Sequence, residues 1–304
     1  MRKINAFTLI ELLVVIAIIG ILSTLIVIGM SSTTQKATIA KAQAFSHSVD
    51  SALMSSKVSE WKFESGTHTD GQSADTTDIK DTWGTNDASA VSGPLIKENI
   101  NCVSEKCLSF DGNDYIDYGN ATALDSIFDS NYTLSVWIKS TSTSQIKTIW
   151  SSTDVNNGYR LVHLNYPSVG KLKFHSGAGS DTSGLDSNAS NLNNSQWRYL
   201  IFILDGTTQK IYIDGSFDNS RTKIAGTTTS NTNFFIGKNY SSIYFFEGLI
   251  DDVRLYDEAI PTSQIQQNYF AGLNKLFAKQ GVEISEYQQR VASLDQNFNV
   301  SEHN

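Results

Sequence analysis

The sequence predicts an α+β protein: a long N-terminal membrane and stalk helix, an antiparallel β-rich body and a C-terminal amphipathic helix. Three observations predict this order. An uncharged apolar run occupies residues 12–29. Between residues 60 and 256, short segments alternate apolar and polar residues and are separated by Gly, Asn, Asp and Ser, which is typical of antiparallel strands. Residues 262–279 then return to helical periodicity.

The apolar run is long enough to cross a membrane. About 18 residues at a rise of about 1.5 Å approach the roughly 30 Å thickness of a bilayer core. Arg2 and Lys3 precede the run, and positive flanks stay cytoplasmic, so we expect a single-pass protein whose remainder lies outside the cytoplasm. Glu11 lies immediately before this uncharged run, at the start of the apolar segment, where an unpaired carboxylate costs on the order of 3 kcal/mol at mid-bilayer and somewhat less near the interface. This carboxylate therefore needs a partner.

Residues 6–18, Ala-Phe-Thr-Leu-Ile-Glu-Leu-Leu-Val-Val-Ile-Ala-Ile, resemble the N-terminus of type IV pilins and type II secretion pseudopilins. The resemblance implies cleavage by a prepilin peptidase between Ala6 and Phe7 and methylation of the new amine on Phe7. It also implies storage in the inner membrane and later assembly with other pilin subunits, in which Glu11 pairs with the α-amine of a neighbouring subunit. Ala6 departs from the family's usual Gly, and Ile28 stands where many pilins have a helix-kinking Pro.

Two simpler interpretations of the N-terminus stay open. The run could be a plain signal anchor whose Glu11 reaches the interface, or a signal peptide removed by ordinary signal peptidase. Beyond the run, apolar residues recur at helical spacings of three and four, at Ile39, Ala42, Phe45, Val49 and Leu53. We therefore divide this part into a leader at 1–6, a membrane and assembly helix at 7–30 and a stalk helix at 31–58.

Many short strands are predicted after the stalk, and their near-regular spacing favours a sandwich or a barrel. The predicted strands are residues 61–63, 106–110, 115–118, 132–139, 146–150, 159–164, 171–175, 196–204, 209–214, 234–238 and 249–256. The dipeptides Asp205-Gly206 and Asp214-Gly215 predict two consecutive hairpins, because Asp-Gly suits the positive φ of tight turns. Residues 65–80 are polar and are predicted to be a loop without assigned chemistry.

Four segments of this region, residues 108–119, 132–138, 211–215 and 248–257, resemble a laminin-G-like, concanavalin A-like domain. The resemblance spans about residues 60–260 and implies a jelly roll of two antiparallel sheets. It also implies that Ca²⁺ could lie against one sheet, for which we single out Asp111, Asn113 and Asp252 as ligands. The alternative is that Asp111 and Gly112 only form a turn, and that Asp251 and Asp252 cap strand ends or pair with Arg254.

Cys102 and Cys107 are the two cysteines of the chain. An exported location is oxidising, so we expect a disulfide between them. Its loop is short, which places its stabilisation at the lower end of about 2–4 kcal/mol. With two cysteines and scattered histidines, the sequence does not predict a zinc site.

Residues 261–304 are predicted to form a C-terminal helical segment and tail. An amphipathic helix is expected over 262–279, with Thr262 as its N-cap and Gly281 as its stop. A second short helix is expected at 285–294. These helices are expected to cover the stalk or the edge of the sandwich.

The composition and the motifs of the sequence exclude several classes of function. The net charge of −8 without a basic block argues against nucleic-acid binding. No closely spaced acid pair of the Glu-x-Asp-x-x-Glu kind, nucleophile elbow or His-Glu-x-x-His run occurs, so an enzyme is not expected. The segment 241–246, Ser-Ser-Ile-Tyr-Phe-Phe, is the best candidate for a ligand-contact loop, with Tyr244 and Phe245 as its contact residues.

These observations together favour a pilin-like filament subunit, in a minor or tip position, that displays a lectin-like domain for adhesion to a surface, a glycan or a protein. After assembly the domain would lie on a cell-surface filament. Three alternatives remain: a pseudopilin of a type II secretion apparatus, a tethered carbohydrate-active enzyme, and a sandwich that is only a structural coat.

Overall fold

We analysed a computed structural model, which describes residues 56–119, 122–128, 130–143, 145–152, 159–177, 184–223 and 233–301. The predicted leader and membrane helix lie outside these residues, as does the predicted stalk helix up to residue 55. Lys57 and Val58, predicted as the end of the stalk helix, instead begin the first strand. Within the described ranges, no helix is both long enough and apolar enough to span a membrane.

The described chain forms two antiparallel β-sheets, with strands numbered in chain order. One sheet has eight strands: β1 (Lys57–Trp61), β3 (Leu95–Glu98), β4 (Lys106–Asp111), β6 (Tyr132–Lys139), β11 (Arg198–Asp205), β12 (Thr208–Ile213), β13 (Ser216–Thr222) and β15 (Glu247–Tyr256). The other has seven: β2 (Ala90–Ser92), β5 (Tyr115–Asp117), β7 (Lys147–Ser152), β8 (Tyr159–Leu164), β9 (Leu172–Gly177), β10 (Leu185–Asp186) and β14 (Phe234–Ile236).

The strand order is not the chain order in either sheet. The eight-stranded sheet runs β13-β12-β11-β6-β15-β4-β3, and the seven-stranded sheet runs β10-β9-β8-β7-β14-β5-β2. Strand β15 pairs with β6 on one side, while β4 and β1 share its other side, β4 along the first half and β1 along the second. The predicted antiparallel β-sandwich is therefore confirmed.

Alternate side chains along the strands point into the core between the sheets. In β6, Leu134, Val136 and Ile138 point into this core, whereas Trp137 points to the other side of the sheet. From the seven-stranded sheet, Trp150 and Phe174 join the same core, and both are buried. Period-two burial is what a strand requires when its two faces meet different surroundings.

A short helix, α1 (Thr122–Phe128), and two C-terminal helices, α2 (Thr262–Ala278) and α3 (Ile284–Ser301), complete the described chain. The apolar stripe predicted for α2 is confirmed, because Ile265, Tyr269, Leu273, Leu276 and Phe277 are all buried. They pack on the outer side of the eight-stranded sheet in a second core that includes Trp137, Tyr199 and Ile201. The helices thus cover one face of the sandwich.

Two details at the C-terminus differ from the predictions. Thr262 is not the N-cap of α2: Pro261, in extended conformation, precedes the helix, and the Thr262 hydroxyl lies 3.2 Å from the Tyr212 hydroxyl. Helix α3 is longer than the predicted 285–294. Two hydrogen bonds hold this helix in place. The Tyr287 hydroxyl donates to Asn274 Oδ1 at 2.7 Å, and Arg290 donates to the Trp197 carbonyl oxygen at 2.8 Å.

The turn chemistry accounts for other differences. Asp214 and Gly215 form the loop of the second predicted hairpin, with φ of 51° and 79°. In the first hairpin Asp205 still pairs with Thr208, so the loop is Gly206 and Thr207 instead of the predicted dipeptide. The strand predicted at residues 61–63 is the end of β1, which stops at Trp61. Phe63 cannot belong to it, because its φ of 62° lies outside the range of a β-strand. The prediction lacked β2, β3, β10, α1 and a one-turn 3-10 helix at Asn99–Asn101, and it implied β13 only as the second arm of the second hairpin.

Candidate ligand-binding face

The two outer faces of the sandwich differ in what covers them. The outer face of the eight-stranded sheet lies under α2 and α3. On the seven-stranded sheet, no helix among the described residues packs against the face turned away from the core. This outer face of the seven-stranded sheet is lined by aromatic, histidine and lysine side chains, and it is the candidate functional site.

A lysine set among aromatic rings forms the first part of this face. The Lys238 ammonium lies 3.8 Å from the centroid of the Tyr115 ring and 4.3 Å from that of Phe235. Strands β5 and β14 are hydrogen-bonded neighbours, which brings these two rings together. Burial lowers the pKa of Lys238, although nearby Asp117 acts in the opposite direction. The group can donate hydrogen bonds from a surface that also offers ring faces.

Tyr244 and Phe245, the predicted contact residues, both lie at this face and are half-buried. The Phe245 ring is 6.4 Å from the Tyr115 ring. The Tyr244 carbonyl oxygen accepts a hydrogen bond from the Thr148 N–H at 2.8 Å, and its ring meets His163 edge-on at 5.6 Å. The loop that precedes them is accessible, since Ile243 is 58% exposed.

Two histidines occupy the neighbouring strands. His163 on β8 and His175 on β9 lie with their ring centroids 6.1 Å apart. Burial, with the nearby charge of Lys173, lowers the pKa of His163 to about 3 and that of His175 to about 4. Both imidazoles are therefore neutral at pH 7, and they offer hydrogen bonds without charge. His163 already uses Nδ1, which is 3.1 Å from the Thr148 hydroxyl.

The far side of the face is polar. The Lys173 ammonium lies 4.6 Å from the Tyr166 ring centroid and 3.2 Å from Asp186 Oδ1. Arg221, on β13 of the other sheet, reaches the edge of this face and donates to the Gly184 carbonyl oxygen at 2.7 Å. The face therefore presents ring faces at one end and the Lys173–Asp186 ion pair at the other.

The three residues predicted to bind calcium do not come together. Asp111 and Asn113 share the turn after β4, where the Asn113 N–H donates to Asp111 Oδ1 at 3.1 Å. Asp252 lies five residues beyond Glu247, the partner of Asp111, which is roughly 16 Å along the strand. The Asp252 carboxylate instead binds the Arg254 guanidinium through two bonds of 3.0 Å. Asp252 is therefore not part of a site with the other two.

The turn after β4 brings a second carboxylate, that of Asp114, close to Asp111. Asp114 is buried, and its Oδ2 accepts a hydrogen bond from the Asp111 N–H at 2.8 Å. Burial raises the pKa of Asp114, and the charge of Asp111 acts in the same direction. The turn on its own explains these contacts, while calcium binding at Asp111 and Asn113 stays a prediction.

The disulfide between Cys102 and Cys107 is present, and both residues are fully buried. It lies in the core under the C-terminal helices, beside Asp251. Asp251 Oδ2 accepts a hydrogen bond from the Ser104 N–H at 2.8 Å, which ties the disulfide loop to β15. The role of this pair is structural in the described chain, since it cross-links the β3–β4 connection to β4 and packs beneath the C-terminal helices.

Sequence reasoning missed Tyr115, Phe235 and Lys238 as site residues. Tyr115 and Lys238 are far apart in the chain and meet only through the pairing of β5 with β14. The alternation of Phe234, Phe235 and Ile236 indicates that one ring points away from the core, but not whether that face is covered. No local signal could have identified this group.

Solved structures of several large proteins share the fold. The receptor-binding domain of botulinum neurotoxin C/D mosaic serotype has a TM-score of 0.52 and 16% identity, with 71% of this chain and 51% of that chain covered. The binding domain of Paraclostridial Mosquitocidal Protein 1 has a TM-score of 0.52 and 16% identity, with 71% of this chain and 52% of that chain covered. Trypanosoma rangeli sialidase has a TM-score of 0.52 and 11% identity, with coverages of 76% and 38%.

The chain thus spans about half or less of the length of these structures, and at such identities the likeness shows the fold alone. No curated protein matches the sequence. Two family models do match: the prokaryotic N-terminal methylation motif over residues 1–27, and the concanavalin A-like lectin/glucanases superfamily over residues 110–266, more than half of the chain. Both resemblances found in the sequence are confirmed. The chain belongs to the concanavalin A-like lectin/glucanases superfamily and begins with a prokaryotic N-terminal methylation motif.

Proposed function

We propose that this chain is a pilin-like filament subunit whose sandwich binds a glycan through the outer face of the seven-stranded sheet. The methylation motif at residues 1–27 supports the first half of the proposal. The observation that carries the second half is the unequal covering of the two sheets, since helices bury one outer face while aromatic and charged side chains line the other.

The chemistry of the face suits a sugar. Sugar rings stack on aromatic faces, and their hydroxyl groups need a few well-placed donors and acceptors. Tyr115, Tyr244 and Phe245 supply half-buried rings, and Lys238 supplies a donor. The neutral His163 adds an uncharged polar group beside Tyr244. Because two of the proteins that share the fold are named as binding domains, binding is favoured over a purely structural coat by analogy only.

The N-terminus sets the partners and the location in this proposal. A prepilin peptidase cuts between Ala6 and Phe7, the mature chain is stored in the inner membrane, and Glu11 pairs with the α-amine of the next subunit during assembly. The sandwich then lies outside the cytoplasm on a surface filament. Its size favours a minor or tip position, which counting subunits in sheared filaments would test.

Calcium at Asp111 and Asn113 is a further part of the proposal, tested by calcium titration with and without Asp111→Asn.

A pseudopilin of a type II secretion apparatus has the same kind of N-terminal motif, so it is the second candidate. The two candidates differ in what deletion of the protein disrupts. Loss of surface adhesion with normal secretion supports the pilin-like role, and loss of exported enzymes with normal adhesion supports the pseudopilin role.

Glycan binding is tested with the full-length chain in detergent on a glycan array, followed by calorimetry with the sugars that bind. Tyr244→Ala should weaken binding about fivefold, since a lost aromatic contact is worth about 1 kcal/mol. Phe217→Ala is the matched control, because Phe217 is an aromatic residue 55% exposed on β13 of the other sheet. Equal loss in both variants, or no bound sugar, would contradict the proposal, and hydrolysis of a bound sugar would support the enzyme alternative.

A further inference from the structure

The loop between β1 and β2 contains a cluster that the proposed function does not use. Residues 65–80 form a loop, as predicted, and His68, Asp75 and Asp78 from this loop come together in the structure. The acids follow the histidine by seven and ten residues, a spacing that matches no familiar metal motif. Only the folded loop therefore identifies the cluster.

The geometry of the cluster is compact. One ligand atom from each of the three residues lies within 4.8 Å of the other two. His68 Nδ1 is 2.8 Å from Asp78 Oδ2, and the same oxygen accepts a hydrogen bond from the Asp75 N–H at 2.9 Å. Ligand atoms around a tetrahedral metal ion lie about 3–4 Å from one another, given metal–ligand distances of about 2.0–2.2 Å. Small side-chain movements would bring all three into that arrangement.

An unsatisfied buried oxygen gives an independent indication of a ligand. Asp78 is fully buried, and its Oδ1 has no hydrogen-bond partner among the described residues. A buried carboxylate oxygen without a partner is costly, on the order of a few kcal/mol, and such groups are rare in folded proteins. The backbone at Gly66 lies so close to this oxygen that a Cβ there would be 1.8 Å from it. Asp78 thus carries an unpaired carboxylate oxygen beside Oδ2, the oxygen that contacts His68 and Asp75.

We propose that His68, Asp75 and Asp78 bind a divalent transition-metal ion, Zn²⁺ in particular. Imidazole nitrogen and carboxylate oxygen together suit Zn²⁺, whereas Ca²⁺ takes oxygen ligands. The ion replaces the hydrogen bond between His68 and Asp78: Nδ1 donates its lone pair to the metal and the imidazole proton resides on Nε2. Asp75 is exposed, so the fourth position is open to water.

The surroundings hold the loop in place for this role. The Lys106 ammonium donates to the carbonyl oxygens of Gly66 and His68, at 3.1 Å and 2.7 Å, and lies 4.0 Å from Glu98. Thr77 donates from both its N–H and its hydroxyl to Asp75 Oδ1, which leaves Asp75 Oδ2 for the ion. Lys106 therefore fixes the backbone around His68, and Thr77 fixes the Asp75 carboxylate.

The test is calorimetry of the full-length chain in detergent, treated with a chelator and titrated with ZnCl₂ and, separately, with CaCl₂. We expect one Zn²⁺ per chain, weaker calcium binding, and a loss of about tenfold or more in zinc affinity for His68→Gln and Asp75→Asn. Asp70→Asn is the matched control, since it makes the same charge change in the same loop but its carboxylate accepts the Glu98 N–H instead. Its zinc affinity should equal that of the wild type.

A spectroscopic readout identifies the ligands directly. Co²⁺ in place of Zn²⁺ should give visible absorption bands that are lost in His68→Gln and kept in Asp70→Asn. Asp75→Asn keeps the test decisive if His68→Gln fails to fold, because Asp75 is exposed and its exchange disturbs no core contact. Tyr244→Ala should bind zinc normally, so failure of the glycan proposal leaves this one unaffected. No zinc binding, or equal binding in wild type and both ligand variants, would overturn the proposal.

Discussion

At the scale of single residues, burial decides the charge of the histidines on the proposed glycan face. The pKa of His163 is lowered from 6.5 to about 3, mainly because burial disfavours the charged form. At mildly acidic pH, His163 is therefore protonated in the unfolded chain but stays neutral in the folded chain. Stability from this group is fully present above pH 6.5 and is lost as the pH falls below that value.

His163→Gln should make the stability of the protein less dependent on pH. Between about pH 8 and about pH 5, one such histidine costs about 2 kcal/mol of unfolding free energy, which glutamine does not. Glutamine can keep a hydrogen bond to the Thr148 hydroxyl. Urea unfolding at several pH values measures the effect, and parallel pH profiles of wild type and variant would show that the histidine is not the cause.

At the scale of elements, helix α2 approaches the eight-stranded sheet closely because it has a glycine at the contact. A Cβ on Gly272 would lie 2.5 Å from Trp137 Cζ2 and 2.8 Å from Cε2. The Trp137 ring in turn stacks on Tyr199 and Tyr269, with ring centroids 5.0 Å and 5.6 Å away. The aromatic stack thus fills the space in which a side chain at position 272 would lie.

Gly272→Ala should destabilise the protein although alanine favours helix. The gain in helix propensity is about 1 kcal/mol, while forcing a methyl group into a packed core costs about 1–3 kcal/mol. The near-UV circular dichroism of Trp137 and the midpoint of thermal unfolding report the change. Gln267→Ala, at an exposed position of the same helix, should change stability by less than about 0.5 kcal/mol. A higher midpoint for Gly272→Ala would show that the helix can move away freely.

At the scale of the whole molecule, the chain joins two matched regions with separate roles in the proposed function. The methylation motif lies at residues 1–27 and the superfamily domain at 110–266, and we propose that the first serves processing and assembly and the second serves recognition. The C-terminal helices bury the eight-stranded sheet on its outer side, so a ligand can approach the sandwich through the other sheet. In the proposed function, the subunit therefore displays its binding face while its N-terminus holds it in a filament.

Mass spectrometry of the N-terminus tests the assembly half. In cells with a prepilin peptidase, the mature chain should begin at a methylated Phe7, and without the peptidase residues 1–6 should remain attached. Glu11→Gln should be cleaved normally but should fail to enter filaments, since it cannot neutralise the α-amine of its neighbour. If residues 1–6 stay attached in both strains, the chain is a surface lectin on a simple anchor.

Much of the fold is predictable because its causes are local. Period-two alternation identified the long strands such as β6 and β15, and the stripe from Ile265 to Phe277 identified α2. The disulfide followed from two cysteines close together in an exported chain. Short elements such as β10, with two residues, contain too few positions for any pattern to show.

The sequence by itself determined the order of sandwich and C-terminal helices, the methylation motif and the location of Tyr244 and Phe245 in one loop. Only the tertiary structure decided which sheet the helices cover, that Asp252 pairs with Arg254, and that Lys238 lies between Tyr115 and Phe235. The reason is that hydrophobic periodicity specifies which side of a strand is buried, while contacts between distant strands depend on sheet order and register, which no local pattern encodes.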